Sequence, residues 1–286
     1  SEAASANTTG SNDDVIIFHP ITPNDPKLGD QYGLYNISAL DAWDITTGSS
    51  SVKVGVIDTG ISAHTDLNAN LTTGWDFYHN NSITTDDTDG HGTLVAGIIG
   101  AVGNNNRGIS GVCWNVSLVP LQVIDRTGNI EASCIISAIN YATNHDVPII
   151  NCSIAGYGYS YGEKIAIQNY PGLFVCGAGN DSSNNDTKPS YPNSYTLDNI
   201  VSVAATNRYD ALWEDSNYGA TSVDITAPGD FILSTKNQNS YDDNRSGTSF
   251  ASPMVAGVAA LIKSVRPEFT ANQIKTCILN GADPLE

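Results

Sequence analysis

From residue 52 onward, the hydrophobic positions of this chain form short apolar runs that alternate with longer segments of helical periodicity. Most of the short runs are apolar throughout, as expected for strands covered on both faces. They predict strands over 52–58, 117–125, 147–156, 173–180, 199–206 and 222–229. The helical spacing predicts helices over 92–102, 130–145, 162–170, 249–265 and 270–281. This alternation is typical of a single α/β domain with a doubly wound, mostly parallel sheet and helices on both faces.

The segments with and without the alternation of strands and helices indicate how the chain is divided into domains. The first 14 residues are small, polar and aperiodic, so we expect residues 1–20 to form a flexible arm or a junction with a pro-segment. No repeat or linker divides the remainder, and residues 21–286 are predicted to form one domain. Neither an initiator Met nor a signal peptide is present, so we expect an N-terminal part to have been removed. No apolar run reaches the roughly 18 residues of a membrane span, so none is predicted.

The net charge of the chain limits the classes of molecule that it is expected to bind. With 30 acidic and 12 basic residues, the formal net charge is −18. A field of this sign repels nucleic-acid phosphates and anionic membranes, and it favours bound cations such as calcium. The five cysteines are odd in number and show no metal-type spacing, so no disulfide framework is predicted.

Four residues with catalytic chemistry lie at the ends of predicted elements. Asp58 ends a strand, His91 lies between glycines before a helix, and Asn180 ends the predicted strand LFVCGAGN, directly after Ala-Gly. Ser249 begins the helix of SGTSFASPMVAGVAAL, where it is either a helix cap or a nucleophile. Each residue alone has an ordinary structural interpretation, as a cap, a turn former or a solvated group. Together they supply a nucleophile, a base, an acid that orients the base, and an oxyanion donor. We expect the other histidines to be solvated: His19, His64, His79 and His145.

These residues carry a resemblance to a known family. The order Asp, His, Ser, in the contexts VIDTGI, GHGTLVAGI, GAGN and SGTSFASP, resembles the subtilisin-like serine proteases over residues 22–282. The segment at 22–43 is similar to the N-terminus of the thermitase-like branch. The resemblance implies a subtilisin-like fold and a secreted endopeptidase acting on proteins or peptides, made with an N-terminal pro-segment. It further implies that Ser249 attacks the peptide carbonyl, His91 is the base, Asp58 orients it, and Asn180 helps hold the oxyanion.

The resemblance also implies where the substrate binds. Two chain segments would flank the peptide, with the residues before the oxyanion donor beside them: Gly128, Asn129, Ile130, Ser153, Ile154, Ala155, Gly156, Ala178 and Gly179. Two positions depart from the family pattern. Ala155 replaces a glycine and would restrict large aromatic side chains at P1, and Leu94 replaces the histidine of HGTH. Asp181 would favour a basic P1 side chain unless it is simply a solvated loop carboxylate.

A structural calcium site is implied in the same way. The loop AVGNNNRGISG at 101–111 offers amide and carbonyl oxygens, which hard cations prefer. By resemblance to the thermitase-like pattern, the ligands would be the side chains of Asp25, Asp66 and Asn105 and the carbonyls of Val102, Arg107 and Ile109. Asn104 or Asn106 could replace Asn105 if the register differs, and the alternative is a loop held by its own hydrogen bonds.

Two other classes of function compete with the protease. A subtilase fold without activity could act as a binding or scaffold module, although all four catalytic groups are present. A metallohydrolase could use Asp58, Asp89 and His91, but a second histidine or carboxylate at metal-ligating spacing is missing from the sequence.

Overall fold

The computed structural model describes residues 21–84 and 87–284. The predicted arm at residues 1–20 therefore lies outside the described residues. Seven strands form the main sheet: β1 (Gly48–Asp58), β2 (Trp75–Asp76), β3 (Asn115–Gln122), β4 (Ile149–Cys152), β5 (Leu173–Gly177), β6 (Ile200–Thr206) and β7 (Ile225–Pro228). Their order is β2-β3-β1-β4-β5-β6-β7, and all neighbours run parallel. The predicted parallel sheet is confirmed, with β2 as an additional short strand at its edge.

The five predicted helices are present with shifts of one or two residues at their ends. The described helices are α1 (Tyr32–Asn36), α2 (Ala39–Trp43), α3 (His91–Gly100), α4 (Ala132–Asn144), α5 (Tyr161–Asn169), α6 (Thr248–Val265) and α7 (Ala271–Asn280), with a 3-10 turn at Leu28–Asp30. A small antiparallel hairpin of β8 (Ser234–Lys236) and β9 (Ser240–Asp242) completes the fold. Neither the hairpin nor the one-turn helices were predicted, because three residues of a strand or five of a helix, outside a longer apolar run, show no period.

Hydrophobic side chains fill both faces of the sheet. Alternate residues of each strand point to opposite faces, so Val56 and Ile149 belong to one core and their neighbours Ile57 and Ile150 to the other. The first core packs against α3, α6 and α7, and the second against α4 and α5. This two-sided burial explains why the strands read as continuous apolar runs.

The strand order reverses at β1. The chain moves from β1 to β3 on one side and returns to β4 on the other. In doubly wound sheets, ligands bind beyond the carboxyl ends of the strands at such a switch point. Asp58 is the last residue of β1, so it stands at this position.

Helix α6 is the central helix of the first core. It is the one helix within the described ranges that is long and apolar enough to cross a membrane, and 67% of that apolar stretch is buried inside the protein. Such burial is typical of a core helix. Ser249 is its second residue, so the candidate nucleophile is attached to a firmly packed element.

Candidate active site

The side chains of Asp58 and His91 are hydrogen-bonded at the switch point. His91 Nδ1 lies 2.8 Å from Asp58 Oδ1, and the aspartate is completely buried. The close approach of these two side chains depends on Gly92, because a Cβ at that position would clash with the carbonyl oxygen of Gly60. Asp58 Oδ2 has no hydrogen-bond partner among the described residues, so this carboxylate is not fully neutralised by donors. A buried carboxylate on Nδ1 fixes the imidazole with its Nε2 free to act as a base.

The pKa of His91 reflects two opposing effects. Burial lowers the pKa, because it penalises the charged imidazolium. The charge and hydrogen bond of Asp58, with smaller contributions from Asp89 and Asp87, outweigh that penalty and raise the pKa above 6.5. The site therefore stabilises a protonated histidine, which a general base must become during proton transfer.

A buried aspartate that sequence reasoning missed holds this pair in place. Asp87 is only 3% exposed and accepts hydrogen bonds from the hydroxyls of Thr59 and Thr93 and from the N–H groups of Gly90 and Thr93. Thr59 follows Asp58 directly and also donates its N–H to that carboxylate. Asp87 thereby joins the end of β1 to the beginning of α3. In the sequence DDTDGHG, spacing alone does not tell which aspartate is buried.

The hydroxyl of Ser249 lies at the beginning of α6 and opens to the same cleft as His91. Its Oγ donates a hydrogen bond to the carbonyl oxygen of Ser153, which follows β4, at 3.2 Å, and not to His91. The ring of Phe250 packs against His91 with centroids 5.5 Å apart, so the next residue of α6 contacts the base. The structure thus brings the predicted nucleophile and base to one site from separate elements.

A proline in α6 explains a second bond to the same segment. Pro253 has no N–H, so the carbonyl of Ser249 four residues earlier has no intrahelical donor. The hydroxyl of Ser153 donates to that carbonyl instead, at 3.0 Å. Asn151 Nδ2 in turn donates to the Ser153 hydroxyl at 2.8 Å. The nucleophile's helix is therefore bonded to the segment that follows β4.

Asn180 is oriented by the first residue of α6. Its Oδ1 accepts hydrogen bonds from both the N–H and the hydroxyl of Thr248, each at 2.9 Å. A backbone N–H can only donate, so this assignment places the oxygen toward the helix and leaves Nδ2 as the free end of the amide. Asn180 lines the cleft beside Ser249, and Gly179 before it has φ +109°, which favours glycine. An amide donor and a helix N-terminus at one point can stabilise an oxyanion.

The cleft itself has a volume of about 480 Å³. Most residues expected to contact substrate line it: Gly128, Ile130, Ser153, Ile154, Ala155, Gly156 and Gly179. Two do not. Asn129 is exposed in a turn where its amide bonds to Asp125, and Ala178 is fully buried. Tyr157 and Ser190 also line the cleft, although neither lies in a motif by which it could be predicted from the sequence.

The remaining histidines differ from expectation in one important case. His64 is fully buried, which corrects the prediction that it is solvated. Its Nδ1 accepts the N–H of Asp66, and its Nε2 contacts the carbonyl of Ser240, so the ring joins β9 to the segment between β1 and β2. Burial lowers its pKa. His79 is exposed and its Nδ1 bonds to Asp76, and His145 is exposed too, as expected for both, while His19 lies outside the described residues.

The residues predicted to bind calcium form one buried polar cluster. Asp66 is fully buried and Asp25 is 4% exposed, yet neither forms an ion pair with a Lys or Arg within the described chain. Asn105 Nδ2 donates to Asp66, while its Oδ1 is buried with no described hydrogen-bond partner. Asn104 Oδ1 instead accepts the N–H of Asn24. All four oxygens of the two carboxylates already accept hydrogen bonds from the loop at 101–111 or from Tyr241. The orphaned amide oxygen of Asn105 beside them is a ligand that suits a hard cation, and it favours Asn105 over its neighbours.

The metallohydrolase hypothesis finds no matching cluster. Across residues 21–84 and 87–284, no group of three or more His, Cys, Asp or Glu side chains is arranged to hold a metal ion. Asp89 Oδ1 accepts the backbone N–H of His91 at 3.2 Å, as a turn residue would.

Comparisons of the sequence with known proteins identify relatives that are proteases. The model of the subtilase family matches residues 49–286. Thermitase from Thermoactinomyces vulgaris is 38% identical, covering 92% of both chains, and a thermophilic serine proteinase from Bacillus sp. is 40% identical over 85% of this chain and 60% of its own length. An extracellular protease from Xanthomonas campestris is 34% identical, and this chain spans 57% of its length.

Solved structures of two related proteases have the same fold as this chain. A protease from Pseudoalteromonas arctica superposes with a TM-score of 0.81 at 33% identity, covering 90% of this chain and 91% of its own. A cold-adapted subtilisin-like serine proteinase superposes with a TM-score of 0.70 at 31% identity, covering 79% and 80% of the two chains. The chain therefore belongs to the subtilase family of serine endopeptidases.

Proposed function

We propose that this protein is a secreted endopeptidase that cleaves proteins or peptides through the triad Asp58, His91 and Ser249. One observation carries the proposal: the hydrogen-bonded Asp58–His91 pair, the hydroxyl of Ser249 and the amide of Asn180 meet at one cleft. Relatives named as extracellular and thermophilic serine proteinases support the activity and the secreted location.

The reaction begins with proton transfer. His91 Nε2 takes the proton of Ser249 Oγ as that oxygen attacks the peptide carbonyl and forms a C–O bond. Asp58 stabilises the imidazolium by its charge and stays ionised. His91 then gives the proton to the leaving amine, the C–N bond breaks, and an acyl-enzyme ester remains. A water molecule, deprotonated by His91, hydrolyses that ester and releases the free acid.

Two hydrogen-bond donors stabilise the negative charge that develops on the carbonyl oxygen of the substrate during the attack. Asn180 Nδ2 and the N–H of Ser249 form the oxyanion hole, since the first turn of α6 has N–H groups without intrahelical acceptors. Thr248 fixes the orientation of the Asn180 amide before substrate binds, so no reorganisation is needed in the transition state.

A structural calcium ion is part of the proposal. The side chains of Asp25, Asp66 and Asn105 would hold it, with the carbonyls of Val102, Arg107 and Ile109. The ion would neutralise the two buried carboxylates and fix the loop after α3, and it has no part in the chemistry. A precursor with an N-terminal pro-segment is expected from the thermitase-like resemblance.

A fluorophosphonate probe tests the catalytic proposal, because it forms a covalent adduct only with an activated serine. We expect a single adduct on the peptide that contains Ser249, together with cleavage of a mixed peptide library. Ser249→Ala should remove both. Ser252→Ala is a matched control in the same helix and should keep the adduct. A protein that neither reacts with the probe nor cleaves the library would be a scaffold module instead.

A further inference from the structure

We propose that Tyr157 and Asp181 form a binding site for a cationic side chain, so that the enzyme prefers substrates with lysine or arginine before the scissile bond. The inference rests on the proposed function, because it names the substrate class of the same cleft. Asp181 follows Asn180, which holds the carbonyl oxygen of the scissile bond in the mechanism above. The substrate residue that bears this carbonyl therefore places its side chain nearest to Asp181.

A hydrogen bond joins the two walls of the cleft at this point. The hydroxyl of Tyr157 donates to Asp181 Oδ2 at 2.7 Å. Tyr157 extends the wall that begins at Ser153, and Asp181 extends the wall that ends at Asn180; both side chains line the cleft. The carboxylate and the aromatic ring are thus held together at the mouth of the same pocket.

The ring of Tyr157 already attracts a cation from this protein. The ammonium of Lys188 lies 4.2 Å from the ring centroid, within the range of a cation–π contact. Tyr157 is 45% exposed, so part of the ring is still open to solvent. A substrate ammonium or guanidinium would find an aromatic face and a carboxylate oxygen in one place, in competition with Lys188.

The charged side chains that line the cleft also favour a cation. Asp89 and Asp181 line it, whereas none of its described lining residues is Lys or Arg. Ser190 is a buried polar residue of the cleft lining, and Ala155 adds a methyl group to one wall. A long, slender side chain with a cationic end suits this combination better than a large aromatic ring.

Paired peptides test the preference. Two peptides identical except for lysine or its neutral isostere norleucine before the scissile bond are compared by the ratio of their kcat/KM values. We expect the unmodified enzyme to favour lysine, and Asp181→Asn to lower the ratio about fivefold, the upper range for an exposed ion pair. Lys188→Met should raise the ratio, because it removes the competing ammonium.

Asp283→Asn is the matched control, since it removes the same charge outside the cleft and should keep the unmodified ratio. An unchanged ratio in Asp181→Asn would overturn the inference. Binding of both peptides to Ser249→Ala, with and without Asp181→Asn, measures the same preference without turnover. Failure of the fluorophosphonate reaction would overturn the proposed function, while the binding ratio would still decide the cation site.

Discussion

At the scale of single residues, the proposed catalytic histidine, His91, has an environment that favours its charged form. The carboxylate of Asp58 raises its pKa against the effect of burial. The resulting ion pair contributes to stability fully below pH 6.5 and loses that contribution as the pH rises through the raised pKa. Catalysis needs the neutral imidazole, so activity grows in the pH range where this contribution to folding declines.

The pH profile of kcat/KM should show this directly. We expect the rising limb to have its midpoint above pH 6.5, because the free enzyme must lose the proton of His91. Asp58→Asn should move the midpoint down and lower kcat by about 10⁴-fold, since the imidazole loses both its charge partner and its orientation. Asp243→Asn, an exposed aspartate outside the cleft, should leave the profile in place. Equal midpoints for Asp58→Asn and the unmodified enzyme would contradict the assignment.

The amide of Asn180 should act only on the transition state. Asn180→Leu keeps the approximate size but removes the donor, so we expect kcat to fall by about 10²–10³-fold with little change in KM; this range was established for such a donor in a subtilisin. Asn144→Leu, at an exposed helix end, is the control. Steady-state kinetics on one peptide substrate would measure both. A rise in KM at constant kcat would show that Asn180 binds the ground state instead.

At the scale of elements, α6 and the segment after β4 share a hydrogen bond that a normal helix would not need. Because Pro253 lacks an N–H, the carbonyl of Ser249 depends on the hydroxyl of Ser153. The segment that would bind substrate and the helix that carries the nucleophile are thus fixed relative to each other.

A double-mutant cycle would measure this dependence. Ser153→Ala leaves the carbonyl of Ser249 without its donor and should lower the free energy of unfolding by about 1–3 kcal/mol. In a Pro253→Ala background the restored N–H can bond that carbonyl, so the same change should cost less. Urea unfolding in the Ser249→Ala protein, which cannot digest itself, gives all four values. Equal costs in the two backgrounds would show that the bond has no role in stability.

The sequence predicted the elements that lie in a long periodic or apolar stretch. The six predicted strands lie in longer apolar runs and the five longer helices show a helical period, whereas β2 has two residues and α1 and α2 five each. The triad positions were recognisable because each lies in a distinctive motif. Asp87, Tyr157 and Ser190 were not, since their roles depend on burial and on contacts between segments distant in sequence. His64 was predicted solvated because its neighbours are polar, but tertiary packing buries it.

At the scale of the whole molecule, we expect the excess of acidic residues to make bound cations important for stability. The net charge of −18 opposes compaction, and two carboxylates at the proposed calcium site are buried. The loop after α3, the segment before α1 and the turn at His64 all meet there, so one ion would join three parts of the chain.

Removal of calcium should therefore destabilise the protein. At a calcium concentration about a hundredfold above Kd, binding contributes roughly 2.7 kcal/mol to the free energy of unfolding, and chelation should remove that amount. Asp25→Asn should weaken the calcium dependence, whereas Asp243→Asn should retain it. Thermal unfolding of the Ser249→Ala protein with calcium and with a chelator would measure the difference. An identical midpoint under both conditions would argue for a loop held by its own hydrogen bonds.

Pro253 has a consequence for how the enzyme responds to a bound peptide. A helix normally satisfies its own carbonyls and can shift as a rigid rod without regard to its surroundings. The first turn of α6 cannot, because one of its carbonyls is bonded by a side chain from the opposite wall. If an arriving peptide displaces that wall, we expect the displacement to reach the backbone of Ser249 through this bond. The donor missing from the helix would thus couple the position of Ser249 to the occupancy of the cleft.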